Sequence, residues 1–128
     1  MSKQVIKTDQ APAPIGPYNQ AIIANGFLFA SGQVALNPAT GELELSGIQA
    51  ETHQVMKNVL SVLEAANLTP DHVVKTTIFL SDMSLFAQVN EVYGSYFSGQ
   101  YPARETVAVK GLPRGVNVEI SVTAVVQL

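Results

Sequence analysis

From Val116 to Val126 the chain keeps a period of two, interrupted in polarity only at Val125. Val116, Val118, Ile120, Val122, Ala124 and Val126 fall on one side, and Asn117, Glu119, Ser121 and Thr123 on the other. A period of two held this long specifies a strand with one face in a core and the other turned away from it. Glu119 is the only ionisable residue between Val116 and the C-terminus. The segment just upstream keeps the same period, with Arg104, Thr106 and Ala108 on one face and Glu105, Val107 and Val109 on the other. If the two polar faces are one face of one sheet, a guanidinium and a carboxylate stand near each other in a partly dry setting. That arrangement suits a small anion and a water. An arginine fork matches a carboxylate through two parallel hydrogen bonds, as a lysine cannot, and a neighbouring Glu is then available to handle a proton or a water. The same two groups also make a structural ion pair, and spacing alone does not choose between these readings.

Upstream, Gln4 to Lys7 reads as a short strand, and Pro12, Pro14, Gly16 and Pro17 force a stiff, irregular loop after it. Tyr18 to Ala24 and Phe27 to Ser31 form a hairpin around Asn25-Gly26, a pair suited to a type I′ turn. The loop could hold the Tyr18 hydroxyl at a fixed point, although a half-buried strand tyrosine is the commoner case. Gly32 permits close backbone approach to a ligand, or marks a bulge or turn. Asn37 to Gly41 is a loop that lacks the glycine pattern of a phosphate cradle.

Ser46 to Gln49 fits a capping box opening a helix, whose stripe of Ile48, Val55, Met56, Val59, Leu60, Leu63 and Ala66 ends at Asn67. Val73 to Leu80 reads as a central strand covered by helices on one side. Asp82 and its serine neighbours cap a second helix, Leu85 to Phe97, with Phe86, Val89, Tyr93 and Phe97 buried. Asn90 lies beside that stripe, placed to cap a backbone group or to line a cleft. His53 and His72 have no second ligand at metal spacing and read as solvated side chains, so no metal site is drawn.

These elements in this order make an α+β domain, with two helices on one face of a mixed sheet. Residues 1–128 suit a single domain, with no repeat or linker. With 47% hydrophobic and only 13% charged residues, part of the apolar surface is expected to face another subunit. The net charge of −3 provides no basic stripe for nucleic acid. Without cysteine there is no disulfide framework, thiolate nucleophile or cysteine metal site. The segment from Met1 to Ile6 has no leader-like apolar run and no stretch has membrane-spanning length, so a cytoplasmic, membrane-free protein is expected.

The pattern Pro102-Ala103-Arg104-x-x-Val107 followed by Gly111-Leu112-Pro113-x-Gly115-x-x-Val118-Glu119-Ile120 resembles the signature of the RidA (YjgF/YER057c/UK114) family of enamine/imine deaminases. Ala13 to Ala21, Phe29 to Gln33, Asn37 to Gly41 and Phe86 to Tyr93 resemble the family in the same order, so the resemblance covers essentially the whole chain. It implies a chorismate-mutase-like fold with a six-stranded mixed sheet, assembled as a homotrimer with sites between subunits. It also implies hydrolysis of 2-aminoacrylate, 2-aminocrotonate and their imine tautomers to 2-oxo acids and ammonia, without a cofactor, protecting pyridoxal-phosphate enzymes. On this resemblance Arg104 clamps the substrate carboxylate with help from the Gly32 amide. Glu119 positions or deprotonates the water, Tyr18 orients the water or the departing nitrogen, and Ser31, Asn90 and the Thr106 backbone line the pocket. Many close relatives carry Cys where this chain has Thr106, a change that a backbone contact survives and a thiol role does not. Family members have also been described as ribonucleases, translation inhibitors, chaperone-like proteins or ligand-binding regulators. A binder that holds a 2-oxo acid without turnover would use the same arginine.

Overall fold

The computed structural model describes residues 2–128; Met1, the first residue of the segment read for a leader, lies outside them. The elements run β1 (Gln4–Ile6), β2 (Ala21–Ala24), β3 (Phe27–Ala30), α1 (Ile48–Ala65), β4 (Val73–Leu80), α2 (Phe86–Gly94), β5 (Ala103–Ala108) and β6 (Val118–Val125). They form one six-stranded sheet in the order β1-β2-β3-β6-β4-β5. Every pairing is antiparallel except β4 with β5, so the sheet is mixed.

The alternation of β6 organises the layers. Val118, Ile120, Val122 and Ala124 are fully or nearly buried and join Leu28, Ile78 and Leu80 under the helices. From α1 the core takes Val55, Met56, Val59, Val62 and Leu63, and from α2 it takes Val89 and Tyr93. The opposite sheet face has no cover within the chain. By register, Val5, Phe27, Phe29, Phe79 and Val107 lie on that open face together with the Lys75–Glu105 ion pair, whose carboxylate also accepts from Thr77.

Several boundaries differ from the sequence reading. Asn25 (φ 52°) and Gly26 (φ 83°) make the expected hairpin turn, but β2 begins at Ala21 rather than Tyr18. The cause is the buried Gln20 side chain, which accepts from Thr8 N and donates to the Thr8 and Pro12 carbonyls, tying the irregular loop down ahead of the strand. No capping box opens α1. Gly47 is the N-cap, with no side-chain bond, because the Ser46 hydroxyl donates to Glu44 instead. Asn67 stops that helix in the left-handed conformation as expected. A 3-10 turn at Met83–Leu85, with Asp82 accepting from Ser84 N, precedes α2, which ends at Gly94, short of Phe97.

Glu51 of α1, 1% exposed, is the one fully buried carboxylate among the described residues, and the helical stripe did not predict it. It accepts from Asn117 N (2.7 Å), Asn117 Nδ2 (2.9 Å) and Val118 N (3.1 Å), so it fastens the start of β6 to α1. Removing the carboxylate leaves buried donors without an acceptor. Glu51→Ala is expected to lower stability by about 2–4 kcal/mol, seen as a lower urea midpoint at unchanged slope, with Glu51→Gln intermediate.

Candidate active site

Arg104 stands on β5, at an edge of the sheet, and pairs with Thr76, which in turn pairs with Val122. Thr76 and Val122 are buried under the helices, so Arg104 projects from the helix-covered face. Asn90 of α2 accepts from Arg104 Nη1 at 2.6 Å. The guanidinium carbon lies 5.1 Å from the ring centre of Tyr93 and 5.6 Å from that of Phe86, within cation–π range. Tyr93 is itself fixed by its hydroxyl, 2.8 Å from Thr76 Oγ1. Burial raises the Tyr93 phenol above its ordinary range, with the Thr76 bond and the Arg104 charge opposing. Phe86 was expected in the core but stays partly exposed as one of these walls, and Asn90 lines a cleft. A guanidinium carries five N–H donors, and among the described residues only the Asn90 bond engages one. The hollow in front of it, about 650 Å³, is lined by Asn90, Glu91, Tyr93, Tyr101 and Arg104.

Glu119 lies elsewhere. It pairs with Phe79, which is out of phase with Thr76 on the same strand, so its side chain projects from the open face. The shared face expected for Arg104 and Glu119 therefore does not exist within one chain, because the pleat of β4 separates them. Nor do the two form an ion pair with each other. Glu119 shares a second hollow, about 460 Å³, with Tyr18, Ser31 and Gly32. Ser31 Oγ donates to Asn19 O at 2.6 Å, and Tyr18 N donates to Gly16 O at 2.8 Å, which together fix the loop beneath this hollow. Gly32 follows from close packing: a Cβ there would collide with Glu119 Oε2 and come within 2.8 Å of its Cδ. Burial without a compensating cation or donor raises the Glu119 carboxyl above the ordinary carboxylate range.

Thr106 sits on the Arg104 face, and its Oγ1 is buried without a partner. His53 is exposed, with Nδ1 2.7 Å from the Tyr96 hydroxyl, and His72 closes a small cap with Thr69. No cluster of metal-ligating side chains occurs among the described residues. Sequence reasoning missed the aromatic walls around Arg104, because helical spacing assigned them to the core. It also missed Arg114, on the wall of the second hollow, although the Pro-Arg-Gly turn was a visible signal.

The family model for endoribonuclease L-PSP matches residues 8–126. A 2-iminobutanoate/2-iminopropanoate deaminase of Mus musculus is 46% identical over 123 residues, covering 96% of this chain and 91% of that protein. This chain belongs to the RidA (YjgF/YER057c/UK114) family. Among solved structures, the Rid-family protein YyfA of Yersinia pestis, itself of unknown function, superimposes with a TM-score of 0.94 at 50% identity over 97% of this chain and 99% of that one. E. coli TdcF with bound serine superimposes with a TM-score of 0.91 at 37% identity, covering 95% and 98%. The six-stranded mixed sheet with two helices is the fold these RidA relatives share with this chain.

The upward shift of Glu119 has a consequence for stability. The folded chain holds this proton to higher pH than the unfolded chain, so the group's contribution is full below the unfolded value and is lost as pH rises through the folded one. Across the weakly acidic range the wild type should lose stability relative to Glu119→Gln, as read from urea midpoints. In Gly32→Ala the carboxylate is displaced toward solvent, and its NMR titration should return toward the ordinary carboxylate range.

Proposed function

We propose that this protein hydrolyses reactive 2-imino acids and their enamine tautomers, of the 2-iminopropanoate and 2-iminobutanoate class, to 2-oxo acids and ammonia. Such a reaction removes the short-lived products of pyridoxal-phosphate enzymes before they do damage. The observation that carries the reading is Arg104, whose guanidinium is oriented by Asn90 and two aromatic rings while its other donors face a hollow. A fork held this way suits a planar carboxylate. Support comes from relatives: the mouse protein is a 2-iminobutanoate/2-iminopropanoate deaminase, and TdcF holds serine, a small amino acid with a free carboxylate.

In this reading Arg104 clamps the substrate carboxylate, with the Gly32 amide and the Thr106 backbone beside it, and Ser31 and Asn90 on the walls. Water adds its oxygen to C2 as the C=N electrons move to nitrogen. Glu119, made a stronger base by burial, takes a proton from that water and passes it to the nitrogen, giving a carbinolamine; it then carries the hydroxyl proton to the same nitrogen as the C=O bond forms and the C–N bond breaks, releasing ammonia. Tyr18 orients the water or the departing nitrogen. No metal or cofactor is called for, because the imine carbon is already electrophilic. The reading further takes residues 1–128 as one domain working in the cytoplasm, with neither nucleic acid nor membrane as partner.

Because Arg104 and Glu119 occupy separate hollows on opposite sheet faces, we assign the complete site to two copies, one giving Arg104, Asn90 and Thr106 and the next giving Tyr18, Ser31, Gly32 and Glu119. A homotrimer closes such a head-to-tail contact. The open sheet face, with Phe27 38%, Phe29 45% and Val5 50% exposed, supplies apolar surface for that assembly.

Ammonia release from 2-iminobutanoate generated by threonine dehydratase tests the activity. Arg104→Ala is expected to lower kcat/KM by about a hundredfold or more, through loss of a charge-paired clamp. Glu119→Gln should lower kcat while 2-oxo acid binding persists; a wild type that binds 2-oxobutanoate without turnover would be a binding protein instead. Mixed trimers refolded from equal amounts of the Arg104→Ala and Glu119→Gln chains should regain about a quarter of wild-type activity, since each donor is drawn at random from two kinds of subunit. No recovery would place both groups' work within one chain.

A further inference from the structure

The chain has two arginines, and each stands at one of the two hollows. Arg114, on the wall of the hollow that holds Glu119, has no part in the reaction described above. Its backbone is left-handed, with φ 58° and ψ 19°, in the turn Pro113–Gly115. An L-residue with a Cβ occupies that region against steric crowding, which is why Gly and Asn are the usual occupants. Gly115 follows with φ 70°, and its N–H donates to Leu112 O. The Pro113 ring and two successive left-handed residues thus fix the point from which the arginine departs.

The charge of Arg114 is not engaged by the protein. The one ion pair among the described residues is Lys75–Glu105, and no hydrogen bond joins Arg114 to a described side chain. Glu119 lines the same hollow, yet burial alone accounts for its shift; an arginine in contact would have drawn the carboxyl down. Around it the wall is largely apolar, with Ile15, Val34, Leu36 and Pro113. A cation beside such a wall is screened less than one in open water, and its fork suits a second carboxylate.

We propose that Arg114 is a second carboxylate-binding site, which extends the substrate class to 2-imino acids whose side chain ends in a carboxylate. This rests on the hydrolysis reading above. In such a dicarboxylic imine the carboxylate next to C2 is held by Arg104 of one copy. The distal carboxylate is held by Arg114 of the copy that supplies Glu119, so that C2 lies between the two clamps. The chemistry is unchanged: the water oxygen bonds to C2, the C–N bond breaks, nitrogen leaves as ammonia, and both carboxylates remain intact. A hollow of about 460 Å³ has room for the longer side chain.

The test compares 2-iminosuccinate, made in place by an oxidase acting on aspartate, with 2-iminobutanoate, each followed by ammonia release against semicarbazide trapping. Arg114→Asn keeps a residue suited to the left-handed backbone, so its thermal midpoint should match or exceed that of the wild type. It is expected to raise KM for 2-iminosuccinate about tenfold while changing kcat/KM for 2-iminobutanoate by less than about twofold, and Arg114→Glu should be worse on the dicarboxylate alone. A wild type active on 2-iminobutanoate but not on 2-iminosuccinate overturns this proposal and leaves the hydrolysis reading standing. Equal loss on both substrates in Arg114→Asn also overturns it, because it would mean a general role for the turn. A wild type inactive on both imines removes the hydrolysis reading and this one with it.

Discussion

β6 is hydrogen-bonded on both sides, to β3 and to β4, and its pleat sends Val118, Ile120, Val122 and Ala124 into the core while Glu119 turns the other way. Its entry is set by Glu51, whose buried carboxylate accepts from the backbone of Asn117 and Val118. A slip of one residue would exchange the two faces, exposing the core valines and burying Glu119. The strand, its register and the carboxylate that pins it therefore depend on one another. The Glu119 carboxylate keeps its place because the residues on either side of it are buried.

The two hollows differ in how they hold charge. Arg104 is given direction by an amide oxygen and two aromatic rings, contacts that orient a guanidinium without neutralising it. Glu119 is packed over a glycine and partly buried, with no ion pair to offset the burial, so its carboxyl is shifted upward. One group is kept charged and directed, the other is made more basic. Placing them in separate hollows prevents the two from neutralising each other as an ion pair.

Much of the fold was legible in the sequence. The Asn25-Gly26 hairpin, the Val73–Leu80 strand and the left-handed stop at Asn67 rest on short-range rules of backbone geometry, and all three stand in the structure. The capping box at Ser46 failed because Glu44 offered the serine a nearer acceptor. Tyr18 fell outside β2 because Gln20 is bonded across the chain to Thr8 and Pro12. Both misses come from side-chain partners that sequence periodicity does not register.

The sequence alone determined which residues alternate, where the chain turns, that Glu119 is the one charge of its strand, and that Arg104 shares its side of β5 with no other charge, because these follow from local conformation and a period of two. Only the tertiary structure decided that the two charges emerge on opposite faces, since that depends on the register of both strands against β4. The same register left a sheet face bare and gave each charge its own hollow. A strand's periodicity fixes which of its residues share a side, but the phase between two strands is set by pairing, and pairing is a property of the folded chain.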